Sequence, residues 1–299
     1  MKPFDLILFF CLNFILVCSS SAQTVSKEKI LSDEKSIKTG SKEIKILKDI
    51  SYGKEKLQKM DVYYIEKSHD LPVIFMVHGG AWCIGDKSNK GTFKNKAEYW
   101  VNKGYVFISV NYRMLPDADV LTQAKDIVSA LVVAQKFAKD WGGDPEQFIL
   151  MGHSAGAHLV ALISSAPSTA ISKGALPWIG SVLLDSAALN VKTIMEAPHF
   201  KLYDKVFGTD SAFWVKCSPL IQMTSKIAPI LAVYSSRRED SVLQSKVFIE
   251  KAISFGTKAS VLSVDMSHGE INEELGLKSE YTKNVDEFMN SITLRNKSK

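Results

Sequence analysis

Short apolar, β-branched runs recur along the chain, separated by longer stretches in which apolar residues return every three or four positions. Met60–Glu66 alternates as a half-buried strand does. Val73–Val77, Tyr105–Val110, Phe148–Met151, Val182–Leu184, Ile230–Tyr234 and Ser260–Val264 are continuous apolar runs, the pattern of strands covered on both faces. Val120–Trp141 sets Ile127, Leu131, Ala134, Phe137 and Ala138 at helical spacing, and Gly142-Gly143 stops it. Ser241–Ser254 and Tyr281–Ile292 also repeat at three and four residues. Strand and helix in alternation predict an α/β fold: a mostly parallel central sheet flanked by helices on both faces. There is no internal repeat and no Pro- or Ser-rich linker, so one domain is expected.

The N-terminus departs from this pattern. Met1–Ala22 reads as a secretory signal: Lys2 opens it, Leu6–Val17 is apolar except for Asn13, and Ser20 and Ala22 precede a cleavage point at Gln23. That apolar run of about 12 residues is short of the roughly 20 a bilayer span needs. A secreted or periplasmic protein is therefore expected, with no membrane span in its mature chain. The lipoprotein variant, lipidated at Cys18, is disfavoured by the bulk of Val17. Residues 23–42 are polar and lysine-rich and are expected to be a flexible lead-in to a domain spanning 43–295. Outside the signal only Cys83 and Cys217 remain, expected as buried free thiols rather than a disulfide.

Composition narrows the function classes. With 299 residues, 46% of them hydrophobic, the chain fills a large core without metal or disulfide support. The net charge of +5 is carried by lysine and accompanied by no arginine cluster or aromatic-basic motif, so no nucleic-acid partner is expected.

The sharpest chemical signal is Gly152-His153-Ser154-Ala155-Gly156, a G-x-S-x-G between a strand-like and a helix-compatible run. Such a turn lifts a serine hydroxyl to the C-terminal end of a sheet, beside the N–H groups of a helix start. Upstream, His78-Gly79-Gly80-Ala81-Trp82 follows the run Val73–Val77; consecutive glycines let backbone N–H groups turn inward. Gly80, Ala81 and Ala155 are the candidate oxyanion-hole donors. A serine needs a base, and among six histidines His268 stands in a loop after the run Ser260–Val264, at the same sheet end as Ser154. The orienting carboxylate is expected between serine and base, at a strand end: Asp240 fits, with Asp185 and Glu239 as competitors. This chemistry requires no metal and no organic cofactor.

These residues resemble the α/β-hydrolase superfamily, and within it the acetyl esterase and carboxylesterase group. HGGAW with GHSAGAH is also similar to arylformamidases and the feruloyl-esterase-like (BD-FAE) relatives. The resemblance runs from about Tyr52 to the C-terminal helix and includes Asn111-Tyr112-Arg113 and Cys217-Ser218-Pro219-Leu220. It implies an α/β-hydrolase fold with a short helical excursion over the active site, and a serine carboxylesterase. Two departures matter. His153 stands where the hormone-sensitive-lipase-like branch has an acidic residue, which favours the esterase and formamidase side. Ser-Arg-Arg-Glu-Asp replaces the Gly-x-x-Asp turn common at the acid, which leaves Asp240 against Glu239 open. Ala188–Lys226 would be the excursion, carrying Phe200, Tyr203, Phe207, Phe213 and Trp214. Trp82, Phe213 and Trp214 are the candidate substrate-binding residues, with Cys83 beside them, and a small ester with a short acyl group is the expected substrate. The rivals are an arylformamidase and a catalytically silent hydrolase fold used for binding.

Overall fold

The computed structural model describes residues 34–39 and 42–293. The secretory-signal reading of Met1–Ala22 lies outside them. The chain opens with three antiparallel strands, β1 (Glu34–Thr39), β2 (Lys42–Ser51) and β3 (Lys59–Tyr64). It continues through β4 (Leu71–Val77), α1 (Lys90–Asn102), β5 (Val106–Val110) and α2 (Val120–Phe137), which tightens into a 3-10 turn at Ala138–Trp141. Then come β6 (Gly143–His153), α3 (Ala155–Ser165), α4 (Pro167–Ile171) and β7 (Gly180–Leu184). The excursion holds four short helices: α5 (Val191–Met195), α6 (Leu202–Phe207), α7 (Ser211–Lys216) and α8 (Pro219–Gln222). The chain finishes with β8 (Ile230–Ser235), α9 (Glu239–Ser254), β9 (Ala259–Val264), α10 (His268–Glu273) and α11 (Glu280–Asn290).

The strands form one sheet in the order β1-β2-β3-β5-β4-β6-β7-β8-β9. Pairing is antiparallel as far as β3 with β5, and parallel from β5 to β9. The order reverses around β4, so connections leave β4 and β6 toward opposite faces and open a crevice at their C-terminal ends.

The continuous apolar runs follow from two cores. Val73, Phe75 and Val77 of β4 pack with α2 and α3, while Ile74 and Met76 pack with Trp100 and Val101 of α1 and with Tyr281, Val285 and Met289 of α11. A strand buried on both faces has no polar alternation to show. The α2 stop is also physical: Gly142 takes φ 77°, and a Cβ there would lie 2.4 Å from the Ser68 carbonyl oxygen.

Two sequence expectations are corrected. The flexible lead-in does not extend to residue 42: Glu34–Thr39 is an edge strand hydrogen-bonded to β2. Helix α1 has a buried face that includes Thr92 and Lys96 beside Ala97, Trp100 and Val101. Lys96 is buried and donates to the carbonyls of Gly91 and Asn272; burial pushes its ammonium down to about 7. Cys217 is buried as expected, but Cys83 is exposed; both are free cysteines.

Candidate active site

Strand β6 ends at His153 and α3 starts at Ala155, so Ser154 alone makes the turn, at φ 53° and ψ −117°. Close approach makes the turn possible. A Cβ on Gly156 would lie 2.3 Å from the Val77 carbonyl oxygen and 2.4 Å from that of His78, and one on Gly152 would lie 2.4 Å from the Gly156 carbonyl oxygen. Rigid backbone cannot yield there. Gly156→Ala is accordingly expected to destabilise the fold by about 3 kcal/mol and to lower Tm by roughly 6–12 °C in a thermal melt. An unchanged Tm would mean that the end of β4 and the start of α3 are not in contact.

The Gly79-Gly80 segment leaves β4 and curls back: Gly80 has φ 125°, Ala81 53° and Trp82 59°. The N–H groups of Cys83 and Ile84 both donate to the Gly80 carbonyl, at 3.1 and 2.9 Å. The loop is fastened from outside. Tyr112 Oη donates to the His78 carbonyl (3.0 Å), and Gln123 Nε2 donates to that of Trp82 (2.9 Å). The Trp82 indole donates to His158 Nδ1 (3.1 Å), and His158 Nε2 donates to the Cys217 carbonyl (2.8 Å). His158 thus joins this loop to the excursion. Gly80, Ala81 and Ala155 line one cavity with Ser154, and Ala155, in the first turn of α3, has an N–H with no acceptor inside its helix. Four non-glycine residues with positive φ, Ala81, Trp82, Ser154 and Asp185, all border this cavity; such strain concentrates at functional sites.

His268 opens α10, held by the Ser267–Glu270 capping box, and lines the same cavity as Ser154. Its Nδ1 donates to Asp185 Oδ2 at 2.6 Å. Asp185 follows β7 directly, turns at φ 53°, and is fully buried. Its Oδ1 accepts from the Ser235 N–H (2.9 Å) and Ser241 Oγ (2.5 Å). Its Oδ2 also accepts from Arg238 Nη1 at 2.6 Å. Burial opposes ionisation, but these hydrogen bonds and the guanidinium prevail and hold the carboxyl well below the usual carboxylate range. Arg238 Nη1 and His268 Nδ1 lie 2.8 Å apart because both converge on Oδ2. With Nδ1 protonated toward Asp185, the other imidazole nitrogen keeps its lone pair.

Asp240, the carboxylate expected from the sequence, does not touch His268. Helix α9 begins one residue earlier, so Asp240 rides out on its first turn with its side chain 58% exposed. There it accepts from the Ser241 N–H (2.8 Å) and pairs with Arg238 Nη2 at 3.3 Å. The β8 end, where an acid was sought, supplies donors instead: Ser235, Ser241 and Arg238 all point to the carboxylate across from them. Sequence reading also missed His153. Its buried imidazole donates through Nε2 to the His268 carbonyl (3.0 Å) and stands 4.5 Å, ring to ring, from the His268 imidazole.

The cavity has a volume of about 880 Å³. Trp82 forms part of its wall. Phe213 and Trp214 do not: they pack half-buried against the core, where the Trp214 indole donates to the carbonyls of Phe207 and Gly208. Cys83 is not in the wall either. From the excursion Ile194, Phe200, Leu202 and Tyr203 line the cavity, with Thr193 and His199 among its polar contributors. Among the described residues, no group of three or more His, Cys, Asp or Glu is placed to hold a metal ion, and no helix is long and apolar enough to cross a membrane.

Known proteins share this fold. The solved structure of esterase B from Lactobacillus rhamnosis matches with a TM-score of 0.69 and 18% identity, covering 91% of this chain and 94% of that one. A carbohydrate esterase from gut microbiota matches at 0.70 and 19%, covering 82% and 95%. A probable isoprenylcysteine alpha-carbonyl methylesterase of Arabidopsis thaliana is 23% identical over 269 residues, 83% of this chain and 55% of that protein. The kynurenine formamidase of Danio rerio is 34% identical over 121 residues, 40% of this chain and 39% of that enzyme. The chain spans about half the length, or less, of these curated relatives. The fold is that of the α/β-hydrolases, and since residues 60–242, more than half of the chain, match the BD-FAE family model, the protein belongs to that family.

Proposed function

We propose that the protein is a serine carboxylesterase acting on small-molecule esters with a short acyl group. One observation carries this reading: Ser154, on a strained strand-to-helix turn, shares a cavity with His268, whose Nδ1 is bonded to the buried carboxylate of Asp185. Ser154 Oγ attacks the ester carbonyl while His268 Nε2 takes its proton. The carbonyl oxygen becomes an alkoxide facing the N–H groups of Gly80, Ala81 and Ala155, each such donor being worth about 3 kcal/mol. His268 returns the proton to the leaving alcohol, and water repeats the sequence to free the acid. Asp185, not Asp240, holds the imidazole tautomer and stabilises the imidazolium. Arg238 fixes the carboxylate, and His153 fixes the backbone of the His268 loop.

A fluorophosphonate probe tests the nucleophile. The wild-type protein is expected to gain one covalent adduct on the peptide containing Ser154, and Ser154→Ala none. Absence of labelling in the wild type would return the fold to a binding role. The formamidase reading draws on the Danio rerio relative; turnover of N-formylkynurenine above that of nitrophenyl acetate would favour it.

A further inference from the structure

Two large apolar side chains stand unpacked at one side of the cavity mouth. Phe200, before α6, is 74% exposed, and Leu243, on α9, is 61% exposed, yet both line the cavity. Both belong to the stretch of wall shared by the excursion and the first turns of α9. Gln244, next to Leu243, accepts from the Asn190 N–H at the start of the excursion (2.7 Å). Tyr203, whose N–H donates to the Phe200 carbonyl (2.9 Å), lies close enough to Arg238 and Asp240 to feel both charges. Val247, one turn beyond Leu243 on α9, is 40% exposed and extends the apolar strip outward. His268 lines the same cavity, and Arg238, just before α9, stands 2.8 Å from its Nδ1.

The position decides which half of an ester belongs there. The leaving oxygen must reach His268 to be protonated, so the alcohol half leaves on the His268 side. A cavity of about 880 Å³ is the size that encloses a drug-sized molecule, far more than a short acyl group with a small alcohol fills. We infer that the substrates are esters of a short acid with a long apolar alcohol, whose chain lies between Phe200 and Leu243. This rests on the serine-esterase reading and extends it to the alcohol. The ligand is a single dissolved ester, since Phe200 and Leu243 line the same cavity as Ser154 and His268 rather than a separate face.

Octyl acetate and ethyl octanoate are isomers, equal in atoms and opposite in which half is long. Octyl acetate is expected to be hydrolysed with kcat/KM at least about tenfold above ethyl octanoate and about 30-fold above ethyl acetate, all below their solubility limits. A fully buried methylene is worth roughly fourfold, so partial burial of six suffices. In the double variant Phe200→Ser and Leu243→Ser, the octyl-to-ethyl acetate ratio falls about tenfold through KM. Phe255→Ser, an exposed apolar residue elsewhere on the surface, leaves that ratio unchanged. Preference for ethyl octanoate overturns the inference, as does a flat acetate series in enzyme that still takes the fluorophosphonate label. A rate that rises only above the solubility limit also overturns it, pointing to a lipid surface. Failure of the label itself removes the esterase reading beneath it.

Discussion

Asp185→Asn is expected to lower kcat/KM for nitrophenyl acetate by about 10⁴, the loss that follows when an orienting carboxylate becomes an amide and the imidazole adopts the wrong tautomer. Asp240→Asn leaves it within about fivefold. The contrast follows from where charge is desolvated. Asp185 is fully buried and gives one oxygen to His268 and Arg238 and the other to Ser235 and Ser241. An asparagine there presents an N–H₂ to donors on at least one side. Asp240 is mostly in solvent, and its pairing with Arg238 is worth little. Far-ultraviolet circular dichroism and the melting temperature of each variant separate lost chemistry from lost fold. Should Asp240→Asn cost as much as Asp185→Asn in two folded variants, the acid would belong on α9 after all.

What the sequence disclosed and what it concealed divide along a physical line. The G-x-S-x-G turn and the Gly79-Gly80 loop were legible because backbone geometry dictates their residues: only glycine fits against the Val77 and His78 carbonyls. His268 was legible from its place after a strand at the same sheet end as Ser154. The acid was not, because two successive strands, β7 and β8, are each followed within a few residues by an aspartate. Which one reaches His268 depends on the side-by-side spacing of β7, β8 and β9, set by packing rather than by local pattern. A partial signal existed: the loop after β8 reads Ser-Ser-Arg-Arg, rich in donors and lacking the glycine turn, as suits a partner to a carboxylate elsewhere. Phe213 and Trp214 were misplaced for a related reason. Aromatic residues in an excursion serve equally to anchor it and to line a pocket, and only the fold of α6 and α7 decides.

Between pH 6.5 and pH 5 the protein is expected to lose about 3 kcal/mol of stability, seen as a fall in Tm of roughly 6–12 °C at constant ionic strength. Burial pushes the His153 imidazole down to about 3 and that of His158 to about 4, and depresses His78 in the same direction. An unfolded chain titrates these groups near 6.5, so below that pH the unfolded state binds protons that the native state refuses. Folded values that are lowered give stability that is complete above 6.5 and is lost as pH falls toward 4 and 3. At pH 5 each of His153 and His158 is about 1.5 units into that window, and the unfolded imidazoles are already half-protonated at pH 6.5, so the two together account for about 3 kcal/mol. Asp185 also has a lowered value, but its contribution is lost only below about 4, outside this range. The hydrogen bonds explain the refusal at His158. Its Nδ1 accepts from the Trp82 indole while its Nε2 donates to the Cys217 carbonyl, so a second proton would meet an N–H. His158→Gln retains one acceptor and one donor and has no proton to gain. Its Tm should fall about half as steeply between pH 6.5 and 5 as that of the wild type. An unchanged slope would mean that His158 is not held neutral, and that the loop presenting Gly80 and Ala81 is fastened some other way.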